Sequence, residues 1–308
     1  MNSNRPLVSV TIPAYNHEFY VQTAIESVIK QSYENIELIV IDDGSTDKTA
    51  DKIRESCEKY KGRIRFVPQK NQGLIRTLNL GLSLSKGEYW CQMASDDFMD
   101  ERNIEIKVRF LEEHKELYAV CSDASCLRPD QTVSRMIPEK VKPDPLRVDQ
   151  VRDIFQVKMF FPSLLFRKNV FNRIGNFDES MRYYEDIDMK LRLLLYCKVG
   201  YIDEPLLTWR SHGSNTSHQA LLRRKERIIA YEKFFTLPEL QSHNHLRRKM
   251  LGNEHYKYAR SLVQSKASDP DHTVSWYLRR SLFHFPFRYK GYYYLLKCSL
   301  QNLYTMKK

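Results

Sequence analysis

No run of eighteen uncharged apolar residues occurs anywhere in the 308-residue chain, and a membrane-spanning helix needs about that length. No apolar leader segment follows the start either, because residues 1–6 lead straight into strand-like sequence, so the protein is expected in the cytoplasm. The six cysteines (57, 91, 121, 126, 197 and 298) include no CxxC pair and no histidine at ligand spacing, which argues against a disulfide framework or a zinc site. The glycine fingerprint GxGxxG is missing after every strand-like run, which argues against a dinucleotide dehydrogenase. Internal repeats are lacking, and 42% hydrophobic with 28% charged residues is ordinary for a globular chain rather than a disordered one.

The formal charge of +11 is unevenly spread. Residues 221–308 hold 18 Lys or Arg against 6 Asp or Glu, so the first 220 residues are close to neutral. A basic tail of this kind faces either an anionic surface or solvent.

What is present is a succession of short apolar runs separated by helical periodicity. Val8, Val10 and Ile12 alternate as in a strand, which stops at Pro13-Ala14-Tyr15-Asn16. Val21, Ala24, Ile25, Val28 and Ile29 then fall on one helical face, and residues 36–41 form a continuous apolar run suited to a buried strand. That strand ends at Asp42-Asp43-Gly44-Ser45-Thr46-Asp47; a helix is expected from Thr49, a strand over 63–67, the turn Asn71-Gln72-Gly73 and a helix over 74–84. Strand, helix, strand implies right-handed parallel crossovers, so four strand ends should meet on one edge of a doubly wound α/β sheet, where such sheets bind ligands.

The central strand is the run from Glu88 into Asp96-Asp97. Two adjacent carboxylates raise each other's pKa unless a cation joins them, and a hard divalent ion that also takes phosphate oxygens is the usual remedy. The same pair fits equally well as the N-cap of a helix through Ile104, Val108 and Leu111. A second acidic pair, Glu185-Asp186, precedes Ile187, Leu191 and Leu194 at helical spacing, placing it near a helix N-terminus where the dipole favours the ionised form.

The segments 8–16, 41–47, 71–73 and 94–97 resemble, in order and spacing, the successive signatures of family 2 glycosyltransferases of the GT-A fold. Gly175-Asn176-Phe177-Asp178-Glu179, Tyr184-Glu185-Asp186-Ile187-Asp188 and residues 209–215 resemble the later motifs of the same family. The resemblance covers roughly residues 6–217 and implies a Rossmann-like, mostly parallel sheet with helices on both faces, followed by a C-terminal helical extension. A catalytic domain over 1–217 and a basic, aromatic-rich helical region over 218–308 are expected.

Carried over, the resemblance implies that Pro13, Ala14, Tyr15 and Asp43 hold the nucleotide, with Asp96 near the ribose or sugar and Asp97 on a metal, Mn²⁺ or Mg²⁺. Tyr15 can stack on a base and Asp43 can accept from a ring N–H. His212 is implied at the diphosphate or the metal, Asp186 as the general base and Glu185 as its neighbour orienting the acceptor or the loop. Arg76 and Arg210 are further candidates for charge on the leaving group, and read equally well as solvated salt-bridge partners. The family's commonest metal motif has an acid where Ala94 stands here. The implied reaction moves a sugar with inversion from a nucleotide-diphosphate sugar, UDP by resemblance, to a glycan or an undecaprenyl-diphosphate-linked sugar, in O-antigen or capsule polysaccharide assembly.

Between Trp276 and Tyr304 aromatics interleave with Arg279, Arg280, Arg288, Lys290 and Lys297. This suits either an interfacial helix at the inner face of an anionic membrane or a packed helical cap. A nucleotidyltransferase would begin with a glycine-rich basic loop, which 13–17 lack, and no nucleic-acid-binding motif is present.

Overall fold

The protein is described by a computed structural model covering residues 5–137, 151–182, 184–213, 220–286 and 289–305, with side chains as far as 298. Of the sequence features, Ser214, Asn215, the boundary at 217/218, Phe287, Arg288 and the side chain of Tyr304 lie outside the described residues.

Strand β1 (Val8–Ala14) shows how the sheet is built. Val8, Val10, Ile12 and Ala14 enter one core with Val21, Ala24, Ile25 and Val28 of helix α1 (Val21–Ile29). Thr11 faces the other way, by the two-residue period of a strand. It accepts a hydrogen bond from Trp90 Nε1 at 3.1 Å and lies against Gly81, where an added Cβ would come within 2.2 Å of Thr11 Cγ2. Trp90 in turn packs on Phe166, Phe171 and Phe177, with ring centroids 5.9, 5.5 and 6.0 Å away. Each face of the strand therefore has its own apolar layer.

The chain continues through β2 (Ile36–Asp43), α2 (Thr49–Lys59), β3 (Ile64–Gln69), α3 (Leu74–Leu84), β4 (Tyr89–Gln92), β5 (Phe98–Met99) and α4 (Asn103–Glu113). Then come β6 (Ala119–Leu127), β7 (Val133–Arg135), α5 (Val151–Ile154), β8 (Leu165–Arg167), α6 (Phe171–Ile174), α7 (Glu185–Tyr196) and β9 (Val199–Arg210). The strand order is β3-β2-β1-β4-β8-β6-β9-β5, with β7 beside β6. β1 pairs in parallel with β2 and β4, and β2 with β3, so the carboxyl ends of these four strands share one edge. Beyond β4 the sheet is mixed: β8 runs antiparallel to β4 and β6, β9 parallel to β6, and β5 antiparallel to β9. This is a mixed GT-A-type sheet with helices on both faces.

The helix-cap alternative for Asp96-Asp97 does not hold. Helix α4 starts only at Asn103, where the carbonyl and carboxylate of Asp100 accept from Asn103 N and Arg102 N. Asp96 and Asp97 instead occupy the turn between β4 and β5.

The chain divides into two compact units, residues 1–182 with 189–215, and residues 183–188 with 216–308. The second is helical: α8 (Ala220–Phe234), α9 (Asn244–Ser265), α10 (Val274–His284) and α11 (Tyr289–Thr305). Ile228, Tyr231 and Phe234 of α8, Leu251, Tyr258 and Leu262 of α9, and Tyr277 and Leu278 of α10 are buried. Lys225 closes a polar link to the buried Asp269 at 2.8 Å, and Asp269 also accepts from Tyr258 Oη at 2.6 Å. Among the described residues, no helix is long and apolar enough to cross a membrane.

Candidate active site

The loops after β1 and β2 clasp each other before any functional group is considered. Asn16, in the left-handed region at φ 53°, donates its backbone N–H to Ser45 Oγ at 3.0 Å and accepts from Thr46 N at 2.8 Å. Asn is among the few residues that take this conformation at low cost. Asp42 accepts from the backbone N–H and hydroxyl of Ser45, and Asp47 accepts from Thr49 N and Glu18 N, so these two acids cap the turn. Pro13 and Ala14 end β1, and Tyr15 follows them half exposed.

Asp43 is buried and already engaged. Its oxygens accept from Gln69 Nε2 at 2.7 Å, Gln72 N at 2.8 Å and Gly73 N at 2.8 Å. The carboxylate therefore fixes the Asn71-Gln72-Gly73 turn that opens α3. Gly44 makes the approach possible: it sits at φ +72°, and a Cβ there would meet Asn71 N at 2.6 Å.

Asp96 and Asp97 stand at the end of β4, both buried. His212 Nε2 lies 2.9 Å from Asp96 Oδ2, and His17 Nε2 lies 3.9 Å from the same oxygen. His17 Nδ1 pairs with Ser95 Oγ at 2.8 Å. One ligand atom from each of His17, Asp96 and His212 falls within 4.8 Å of the others. Asp97 faces elsewhere with Oδ1, which accepts from Arg210 N at 2.8 Å. The metal was expected on Asp97 and His212; the side chains brought together are those of Asp96, His212 and His17.

The electrostatics follow from this crowding. Burial, then the neighbouring Asp96 charge, pushes the Asp97 carboxyl well above the usual range, while the Arg210 backbone N–H works against the shift. Burial lowers the His17 imidazole; Asp96 opposes that and His212 adds to it. Tyr20 stacks on His212, with centroids 4.7 Å apart and planes at 24°. The Arg210 guanidinium lies over the rings of Tyr20 and Phe98 at 5.1 and 5.3 Å.

Arg76, expected as charge for the leaving group, pairs with Glu179 at 3.2 Å, both side chains being half exposed. The Gly175 to Glu179 motif is held to α3 by Asn79, which exchanges two 3.0 Å hydrogen bonds with the backbone of Phe177.

Glu185 and Asp186 open α7, and this first turn groups with the helical unit. Asp186 Oδ2 is 3.5 Å from Arg223 Nη2. The guanidinium groups of Arg223 and Arg227, one turn apart on α8, lie over the Tyr184 ring at 4.6 and 4.9 Å. Burial and the Asp186 charge push the Glu185 carboxyl up to about 7, with Arg223 opposing.

His17, Tyr20 and Arg223 were not singled out in the sequence. For His17 a signal existed, since it follows Tyr15-Asn16 at a strand end on the ligand-binding edge. For Arg223 the signal was weaker, a basic pair at i and i+4 with Arg227 that reads equally well as a solvated helix face.

Residues 9–177 match the model of glycosyl transferase family 2. An uncharacterised glycosyltransferase of Rickettsia typhi is 32% identical over 237 residues, spanning 73% of this chain and 70% of that protein. The crystal structure of Staphylococcus aureus TarS residues 1–349 in complex with UDP-GlcNAc superposes with a TM-score of 0.67 at 18% identity, covering 89% of this chain and 79% of that one. The mannosyltransferase PcManGT of Pyrobaculum calidifontis, in complex with GDP-Man and Mn²⁺, gives 0.57 at 16% identity over 98% of this chain and 88% of that one. At these identities the two structures bear on the fold alone.

Proposed function

The chain belongs to glycosyl transferase family 2, and we propose that it moves a sugar, with inversion, from a nucleotide-diphosphate sugar to a hydroxyl of a glycan or of an undecaprenyl-diphosphate-linked sugar. The observation that carries this reading is the convergence of Asp96, His212 and His17 at the end of the central strand. A UDP-sugar is the donor proposed, in keeping with the UDP-GlcNAc bound by the TarS structure that shares the fold.

On this reading the half-exposed Tyr15 stacks on the base beside Pro13 and Ala14. Asp43 holds the 71–73 turn and offers its remaining lone pair to the ring N–H. His17, Asp96 and His212 suit a divalent cation: two imidazole nitrogens and one carboxylate favour Mn²⁺ over Mg²⁺, which prefers oxygen throughout. Such an ion, when bound, neutralises charge on the leaving diphosphate. Asp97 keeps its place beside this group through Arg210 N. Asp186 takes the proton of the acceptor hydroxyl as its oxygen attacks C1 on the face opposite the leaving group, so an α-linked donor yields a β-linked product. Glu185 orients the acceptor, and Arg76 adds positive charge toward the donor. A lipid-linked acceptor puts the enzyme at the inner face of a membrane in O-antigen or capsule assembly.

The test is Asp186→Asn, assayed for UDP release with acceptor and, separately, for donor binding. Transfer should fall by about a hundredfold or more with donor binding unchanged. An active Asn variant refutes the assignment of the base.

A further inference from the structure

Helix α11 carries an aromatic stripe that no described residue covers. Tyr289, Tyr292, Tyr293 and Leu296 are 75%, 49%, 62% and 65% exposed. Their spacing of three, four and seven residues puts them on one side of the helix. The opposite side is where α11 docks: Gly291 is buried, and Tyr294 meets Tyr256 of α9 with ring centroids 6.1 Å apart. Lys290 and Lys297, both exposed, flank the stripe on a common side, seven residues apart. Helix α10 repeats the arrangement, with Phe283 71% exposed one turn after the exposed Arg279 and Arg280.

Two readings were open for these aromatics, and the packing divides them. Tyr277 is buried, and the half-buried Trp276 packs edge-on against the buried His255 ring at 5.8 Å, so those rings are taken up by packing within the helical unit. Phe283, Tyr289, Tyr292 and Tyr293 do not. No Asp or Glu occurs after Asp271, while Arg279, Arg280, Arg288, Lys290, Lys297, Lys307 and Lys308 do. A segment with exposed rings, flanking ammonium groups and no carboxylate of its own is complementary to an anionic layer that is apolar just beneath. Tyrosines settle at headgroup depth and lysine stems reach up to phosphates.

We infer that the Tyr289-Tyr292-Tyr293-Leu296 face of α11, with Lys290 and Lys297, is a docking surface for an anionic phospholipid membrane. The helix lies in the plane of the headgroups, since none of the described helices can span a bilayer. The inference deepens the proposed function by giving a lipid-linked acceptor's enzyme its means of attachment, yet it can fail independently of the chemistry.

The experiment is flotation of the full chain with vesicles of phosphatidylglycerol and phosphatidylethanolamine, or of phosphatidylcholine alone, at low and high salt. Binding is expected to the anionic vesicles only and to weaken with salt. Lys290→Gln with Lys297→Gln should weaken it about fivefold per lysine. Tyr292→Ser, Tyr293→Ser and Leu296→Ser together should weaken it by about tenfold or more. Both variants alter exposed positions and should hydrolyse donor in solution at the wild-type rate, which checks their folding. Failure of the wild type to float overturns the inference, as does undiminished binding by the aromatic variant. So does a wild type that ignores vesicles but binds RNA on filters, or one that ignores vesicles and forms a dimer dissolved by the same substitutions. Because flotation needs no donor or acceptor, an active Asp186→Asn enzyme would remove the assigned base and leave the docking result standing.

Discussion

His212 Nε2 stands 2.9 Å from Asp96 Oδ2 across 116 positions of sequence, tying the end of the last strand to the end of the central one. With His17 3.9 Å from the same carboxylate, Asp96 becomes the shared point of the site.

If these three side chains hold a cation, His212→Asn should weaken Mn²⁺-dependent donor binding by at least about tenfold. With EDTA present, variant and wild type should then bind equally poorly. Titration calorimetry with a UDP-sugar reads both quantities, and a variant that binds as well as wild type in Mn²⁺ would leave His212 a structural role, paired with Asp96 and stacked on Tyr20.

Asp43 fixes a turn with three hydrogen bonds, two of them from backbone N–H groups. In Asp43→Asn the amide NH₂ must face one of those donors, so repulsion between two N–H groups takes the place of a charge-assisted bond. A loss of about 2 kcal/mol follows, or a fall in Tm of about 5 °C for a chain of this size. Thermal unfolding of the ligand-free protein measures it, and an unchanged Tm would mean that the turn holds itself.

Glu185 predicts a pH dependence of stability. Its carboxyl rises from an ordinary 4.5 to about 7 in the folded protein, chiefly by burial and then by Asp186. A raised acid binds its proton more tightly folded than unfolded, so its contribution is fully present below about 4.5 and is lost as pH rises to about 7. Tm of the wild type should therefore fall relative to Glu185→Gln between those values and hold a constant difference above them. Parallel pH profiles for the two proteins would contradict the burial of this acid beside Asp186.

The parallel half of the sheet was legible because its signals are local. The helix expected over 74–84 is α3, Leu74–Leu84, and Gly73, at φ +89°, marks its start. The strand expected to stop before Pro13 runs on to Ala14, because Pro13 sits in register with Ile41 one residue from the end of the pairing with β2 and beyond the last pair with β4, where a missing N–H costs little. The mixed half was not legible. β8 is three residues long and is a strand only because it pairs on both sides, Arg167 and Phe166 with Tyr89 and Trp90 and Phe166 and Leu165 with Ala119 and Val120. Such pairing leaves no periodicity in the sequence. The acids at the end of β4 could be read from the chain, whereas the division of labour between them could not. It depends on Arg210, whose backbone N–H takes Asp97, and on His17, whose Ser95 partner is 78 residues away.

Whether Asp96 is the hub of a metal-assisted nucleotide-sugar site is decided by calorimetric titration of UDP-, GDP- and dTDP-sugars into the wild type and an Asp96→Asn variant, each with Mn²⁺, with Mg²⁺ and with EDTA. A UDP-sugar should bind the wild type best with Mn²⁺, and binding should be lost both in EDTA and in the variant. Equal binding in EDTA, or binding retained by Asp96→Asn, would contradict a metal held at that carboxylate.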